Sequence, residues 1–544
     1  MATSVDTHPS MLLAPLERGE RIAALDVVRG FALIGILLMN IEFFNRPTSD
    51  IGSGIPTGLS GANLVFSLFV QYFVIGKFWT MFSLLFGMGF GVMLTRAETA
   101  GRNFLVPYLR RITALAVFGA LHGILVWSGD ILFSYSVAAL CLLVVLFGRG
   151  KFIVLAIALL GGAGLLLKLT WTYQIAGCLA YFGWMAWYLR CPQHIDVSKR
   201  SVPVFKIVTR VNMVAAAAAI AAGFLIPGLP REAKVMIPIV GSMVLLLNLL
   251  MIRYHAPAAA RPWRIGVAMY VFSCLMLIGF GAGQYYFPEP VAAGAPSPAA
   301  ALRSAERANA ITEHKAEMAG EVAVLTKGSY ADAVAMRSTR FIAHAPGQFG
   351  FSTIIVCMFL LGLWFVRSGV IANAGAHLPL FRKLALFGLP LGIGLGLLGA
   401  TIAVRAVPGT LDGHILATGL LRLGNLPACL GYVGLVVVML HSRSPFARIA
   451  VLAPFGRMAL TNYLTHSVLF TLVFYGYGLG YYGIERKWQL ACVVAMLALQ
   501  IPFSHWWLSR WRYGPMEWLW RAITYWQLPA MRIASAANLP LRPA

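Results

Sequence analysis

The sequence predicts an all-α polytopic membrane protein, a bundle of about 12 to 14 transmembrane helices with one long hydrophilic loop. Of its 544 residues 59% are hydrophobic and only 11% are charged, whereas a soluble domain is about a quarter charged. Apolar runs of about 17 to 25 residues, long enough to cross a hydrocarbon core as helices, recur from Ile22 almost to the C-terminus. The charge is sorted by loop, as membrane insertion requires. This composition excludes an ordinary cytosolic enzyme, a disordered chain and a secreted disulfide scaffold. The net charge of +24 does not indicate nucleic acid, because the basic residues lie between apolar runs and not on a hydrated face.

The expected spans are 22–43, 63–95, 112–128, 131–148, 151–169, 171–190, 203–225, 234–252, 265–286, 350–367, 383–404, 416–440, 452–474 and 487–507. The second is too long for one perpendicular helix and carries Gly76 and Lys77, so it is tilted, kinked or made of two pieces. With the N-terminus cytoplasmic, the segments assigned inside hold 26 Lys or Arg against 6 Asp or Glu. That accounts for most of the net charge and sets both termini in the cytoplasm. The first apolar run is full length and is expected to remain as an anchor, with no cleaved signal peptide.

The domain reading follows the same division: a cytoplasmic segment 1–21, a bundle of about nine helices over 22–286, a hydrophilic periplasmic segment 287–348, about five helices over 349–507, and an aromatic and basic tail 508–544. The hydrophilic segment opens with an Ala/Pro linker and continues with helix-forming composition, the pattern of a helical cap or loop. Seven cysteines lie in or beside apolar runs without CxxC spacing, so neither disulfides nor a metal site is expected. The glycines of FSLLFGMGFG suit close helix packing and match no nucleotide-binding loop.

The first helix places Asp26, Arg29 and Asn40 on one face, through steps of three and four residues. An intramembrane ion pair is costly unless it faces the bundle interior, so the pair either forms a cytoplasmic-side anion site or orients the helix at the interface. In the third helix Arg111 and His122 share a face about 16 Å apart along the axis. An arginine there suits a coenzyme A phosphate, and a histidine at depth suits general-base work; the alternative is a neutral histidine bonded between helices. Asp130, beside Gly129, either orients a substrate or marks a turn. Near the C-terminus Asn462, Tyr463 and His466 cluster on one helix that starts at Arg457, either as packing glue or as a second wall of the cavity that holds His122. The Trp-rich stretch SHWWLSRWRYGPMEWLWRAITYW suits anchoring at the cytoplasmic interface.

Five segments, LDVVRGFALIGILLMNI, KFWTMFSLLFGMGFG, RRITALAVFGALHGILVWSGDIL, GRMALTNYLTHSVLFTLVFYGYGLG and GPMEWLWR, together resemble the YeiB-like family of bacterial inner-membrane proteins, whose C-terminal segment is a domain of unknown function. The resemblance spans the chain apart from extra helices and loops between about 190 and 340. The first helix is also similar to the LDxxRG helix of the transmembrane acyltransferase superfamily, which includes heparan-glucosaminide N-acetyltransferase. That similarity implies acyl transfer from a cytoplasmic acyl-coenzyme A to a glycan on the far side, using a histidine. In the O-acyltransferase branch the catalytic histidine stands eleven positions after the arginine, where this chain has Asn40. The same spacing recurs at Arg111 and His122, which moves the expected base to the third helix.

Two functions are therefore expected from the sequence. In the first, a membrane acyltransferase uses acetyl-coenzyme A or another acyl-coenzyme A, without a metal, to modify an envelope glycan or lipid-linked acceptor. Asp26, Arg29 and Arg111 bind the donor, His122 and Asp130 are catalytic, and Asn40, Arg457, Asn462, Tyr463 and His466 position substrate. In the second, the same charges and histidines form a substrate or proton pathway of a transporter or flippase.

Overall fold

The computed structural model describes residues 22–50, 55, 58–192, 195–197, 200–229, 231–286, 298–405 and 413–533. The segment 1–21 and the Ala/Pro linker up to 297 lie outside the described residues. Among those described, eleven helices are long and apolar enough to cross a membrane, and two further apolar helices are shorter. The protein is an all-α polytopic helix bundle.

In chain order, α1 (Ala23–Phe43) leads through a short 3-10 turn to α2 (Gly61–Phe69) and a π-helical turn, Val70–Val74; α3 follows over Lys77–Thr99. The over-long second span is thus two pieces. The break falls at Gly76, whose φ of 85° is a left-handed conformation that favours glycine. The third span is α4 (Leu105–Leu121), which starts about two turns before the apolar run and ends in a π turn, His122–Val126. Next come α5 (Leu132–Phe147), α6 (Gly150–Leu167), α7 (Thr170–Arg190), a hairpin of β1 (Ile195–Val197) and β2 (Arg200–Val202), α8 (Val204–Leu225), α9 (Arg231–Arg253) and α10 (Arg261–Tyr286).

The hydrophilic segment is itself helical, α11 (Pro298–Lys327) followed by α12 (Tyr330–His344). Ser329 caps α12 in a reciprocal capping box with Asp332. The chain continues through α13 (Gly347–Arg367), α14 (Leu378–Lys383), α15 (Leu389–Arg405), α16 (His414–Leu440), α17 (Leu452–Arg457), α18 (Ala459–Phe474), α19 (Arg486–Arg510) and α20 (Pro515–Tyr525). The expected span 452–474 is therefore split at Met458.

One apolar core runs through the helices on both sides of the hydrophilic segment. The glycine-rich stretch of α3 does pack helices closely: a Cβ on Gly87 would sit 2.3 Å from the Phe359 carbonyl oxygen of α13. A second close approach joins α1 to α17, where a Cβ on Gly456 would lie 2.0 Å from the Asp26 carbonyl oxygen. That contact sets Arg457 beside the Asp26 turn. The described cysteines are all free.

Helices α11 and α12 form a cap over the end of the bundle where α1 finishes. Glu321 of α11, fully buried, accepts hydrogen bonds from the amide and hydroxyl of Thr48 (both 2.8 Å) and of Ser49 (3.2 and 2.8 Å). Its other partner is Arg340 of α12 at 2.5 Å. Burial alone would raise the Glu321 pKa; the Arg340 and Thr48 hydrogen bonds outweigh it and hold the carboxyl below its ordinary range. Beside it Glu42 pairs with Arg46 and with Arg486 of α19, and Arg46 also pairs with Asp50.

Candidate functional site

A cavity of about 280 Å³ enters the bundle at the opposite end, where α1 begins and α3 finishes. On α1 its wall is Ile22, Leu25, Asp26, Arg29, Leu33 and Ile36, one helical face that the steps of three and four made visible in the sequence. From Ile22 to Ile36 that wall is about 21 Å long at the α-helical rise. Facing it on α3 are Phe82, Phe86, Gly89, Met93 and Arg96, and on α4 Arg111 and Leu115. Five arginines line the cavity (Arg29, Arg96, Arg111, Arg457 and Arg521) against two carboxylates, Asp26 and Glu517. The mouth is thus strongly basic and the depth, towards Ile36, Phe82 and Leu132, is apolar.

Asp26 and Arg29 pair with each other at 3.1 Å, as their spacing predicts. Arg111 takes a different partner. Its guanidinium lies 4.1 Å over the Trp520 ring, while the Trp520 indole N–H donates to the Arg111 carbonyl at 2.9 Å. Gly89 leaves room for this arrangement, since a Cβ there would come only to 4.0 Å from Arg111 Nη2. The Trp520 indole is therefore cavity wall, and the expectation that the tail tryptophans serve as interface anchors fails for it. Trp506 and Trp526 remain exposed.

Helix α20 is held across the mouth by Glu517. Its carboxylate accepts from the amides of Leu460 (2.7 Å) and Thr461 (3.0 Å) and from the Thr461 hydroxyl (2.6 Å). Those amides are unsatisfied donors in the first turn of α18, so the side chain caps that helix from outside it. Burial pushes the Glu517 pKa up in spite of these hydrogen bonds.

At the inner end of the cavity stands Tyr463, and its ring centroid is 5.3 Å from that of His122. The loop after the π turn folds back so that Asp130 Oδ1 meets His122 Nδ1 at 2.8 Å. Asp130 Oδ2 accepts from the Phe133 amide at 2.8 Å, in the first turn of α5. The sequence left substrate orientation and turn formation as alternatives for Asp130; its carboxylate holds the turn through the Phe133 amide and bonds the His122 ring. His122 is buried, and no hydrogen bond engages its Nε2. The pairing fixes which ring nitrogen is left for chemistry. Tyr463 lies near the Asp130 carboxylate and the Ile131 amide, and Ile131 is itself a lining residue.

Five expected positions are not among the lining residues: His122 and Asp130 stand behind Tyr463 and Ile131, and the other three lie elsewhere. Asn462 is buried but turns towards α19, donating to the Phe455 carbonyl and to Ser504 Oγ, both at 3.1 Å. His466 follows it, with Nε2 at 2.5 Å from Gln500 Oε1. A residue pair at i and i+4 shares a face, and the one that carries Asn462 and His466 is turned about 60–100° round the helix from Tyr463. Asn40 is buried in α1 beyond the cavity's end and is not among the lining residues.

Residues 365–527 match the family described as a protein of unknown function (DUF418). The chain is 26% identical over 533 residues to the uncharacterized protein YxaH of Bacillus subtilis (strain 168), covering 95% of this chain and 97% of that protein. It is 37% identical over 122 residues to YeiB of Escherichia coli (strain K12), which covers 22% of this chain and 30% of YeiB. A 39.9 kDa protein from the amylase 3' region of Bacillus acidopullulyticus is 37% identical over 129 residues, 24% of this chain and 35% of that one. These matches support a likeness to the YeiB-like family. No solved structure matches it. The matched family segment supplies Arg457, Tyr463, Glu517, Trp520 and Arg521, one wall of the cavity, whereas Asp26, Arg29, Arg111 and the His122–Asp130 pair come from outside it.

Sequence reasoning missed Arg96, Glu517, Trp520 and Arg521. Arg96 looked like an ordinary inside-loop charge at the end of a span. Glu517 carried a usable signal, as an acid in an otherwise basic tail.

Proposed function

We propose that this protein is an acyltransferase of the bacterial inner membrane, with both termini cytoplasmic. It takes an acyl group from a cytoplasmic acyl-coenzyme A and passes it to a hydroxyl or amine of an envelope glycan or lipid-linked acceptor. The observation that carries this reading is the cavity: five arginines at its mouth, and at its far end a tyrosine against the ring of a histidine whose Nδ1 is committed to a carboxylate.

The arginines suit the phosphates of the donor, since guanidinium groups bind phosphate through charge-assisted, often bidentate hydrogen bonds. The apolar depth suits the extended thioester arm. In the transfer step the acceptor hydroxyl attacks the thioester carbon while His122 Nε2 takes its proton. The tetrahedral adduct then expels coenzyme A thiolate, which recovers that proton from the imidazolium, giving the ester and the free thiol. Asp130 holds the ring and offsets the imidazolium charge. In this reading Tyr463 donates to the thioester oxygen, and the thioester passes its ring to reach Nε2.

The test is binding of coenzyme A to the purified full chain in nanodiscs. Replacing Arg111 or Arg29 by Gln removes a charged hydrogen-bond donor, a loss of about 1.5–3 kcal/mol or roughly ten- to a hundredfold in affinity. Binding that ignores both substitutions, or no binding at all, rejects the reading.

Transport is favoured by a separate observation. The second span is interrupted at Gly76, and there Lys77 is fully buried with no hydrogen-bond partner for Nζ, in a helix break of the kind that carries ion sites in transporters. Flux of a solute across liposomes, abolished in Lys77→Met without any covalent product, supports transport over transfer.

A further inference from the structure

We infer that Arg337, in the cap on the far side of the bundle, is a positioning residue for the His122–Asp130 pair. The inference rests on the acyl-transfer reading for its functional consequence but not for its geometry. Helix α4 ends in the π turn His122–Val126, and a helix end leaves its last carbonyls without intrahelical donors. Inside a membrane such groups are costly, because no bulk water satisfies them.

Arg337 supplies the donors. Its guanidinium is fully buried, with Nε at 3.0 Å from the Ile124 oxygen, Nη2 at 3.2 Å from the Leu125 oxygen and Nη1 at 2.9 Å from the Val126 oxygen. The Tyr330 hydroxyl adds a second donor to Leu125 at 2.9 Å. A positive charge over a helix C-terminus also opposes the partial negative charge there. The Phe341 ring of the same helix packs on Phe133 at 4.8 Å, just after Asp130.

The consequence for His122 is direct. Its own carbonyl closes the turn by accepting from the Trp127 amide at 2.8 Å, and the chain then reverses to bring Asp130 back to the ring. Three carbonyls anchored by one rigid fork fix where the turn stops, and so where residues 127–131 begin their return. Without the fork, the last carbonyls must seek other donors, and an ordinary α-helical ending would rotate His122 relative to Asp130. The cap is thereby part of the site's construction, although no cap residue lines the cavity.

The test uses the full chain in nanodiscs with 15N-labelled histidine. A histidine Nδ1–H bonded to a carboxylate gives a strongly downfield proton resonance, and its loss in both His122→Asn and Asp130→Asn assigns it. Arg337→Gln is expected to abolish that resonance while Arg340→Gln, one turn away on the same helix, leaves it at wild-type intensity. Arg337→Lys, a single-point donor, is expected to restore it only in part. An Arg337→Gln protein that melts like wild type and retains the resonance overturns the inference, as does equal loss in Arg340→Gln, which would assign the effect to cap docking in general. Activity is read separately: kcat falling with unchanged KM for the acyl-coenzyme A follows from mispositioning. If no variant and no wild type transfers acyl groups, the functional reading fails while the resonance still decides the geometry.

Discussion

Replacing Glu321 by Ala should release the cap from the bundle. The carboxylate is the acceptor for two backbone amides and two hydroxyls of Thr48 and Ser49, and the pair with Arg340 fixes it in place. Removing one member of a buried ionic network costs about 3–5 kcal/mol. Arg340 keeps a second partner in Glu317 at 3.2 Å, so the lower end applies. A loss of about 3 kcal/mol corresponds to roughly a 160-fold rise in the population of the locally open state. Amide hydrogen exchange in peptides covering 44–50 and 316–344 reads that population, and those peptides should lose protection by about that factor while the membrane helices keep theirs. The pH dependence follows from the depressed pKa: the stabilisation is present above the ordinary value near 4.5 and lost as pH falls through the lower folded value. Corrected for intrinsic exchange, the wild type should approach the variant in acid. A change in protection of less than about tenfold, or an unaltered acid dependence in the variant, would refute the assignment of Glu321 as the latch.

Three further outcomes are expected. Because the Glu517 pKa is raised, its contribution is fully present below the ordinary value near 4.5 and lost as pH rises through the folded value; melting curves of Glu517→Gln should be flat over that window where the wild type slopes down. Gly456→Val should cost on the order of 3 kcal/mol by thermal melting, since its Cβ meets backbone that cannot yield, whereas Gly89→Leu should leave melting near wild type and weaken coenzyme A binding by filling the space beside Arg111. Asn462→Ala should destabilise by about 1–3 kcal/mol through the stranded Phe455 carbonyl and Ser504 hydroxyl, yet leave coenzyme A affinity unchanged.

The sequence exposed those parts of the molecule that depend on local periodicity. The Asp26–Arg29–Leu33–Ile36 face is a run of steps along one helix, and it lines the cavity as drawn. The expected spans are helical because a bilayer-length apolar run has no other way to satisfy its backbone. What stayed hidden depends on contacts distant in the chain. Asn462 and His466 share a face with each other, but which neighbour that face meets is set by the packing of α19. Trp520 has the composition of an interface anchor, and only the fold of the tail across α18 brings it over Arg111. The π turn at His122 has no local signal either. The donors for its last carbonyls come from a guanidinium more than two hundred residues downstream.

The central claim, that the cavity delivers a thioester to the His122–Asp130 pair, is tested most directly by acyl transfer itself. Radiolabelled acetyl-coenzyme A is given to the purified chain with an envelope fraction, and the initial rate of label transfer is compared between wild type and His122→Ala. The account predicts transfer by the wild type and a fall of about 10²- to 10⁴-fold in the variant with coenzyme A affinity retained. Transfer at an equal rate in both proteins, or none in the wild type, would contradict it.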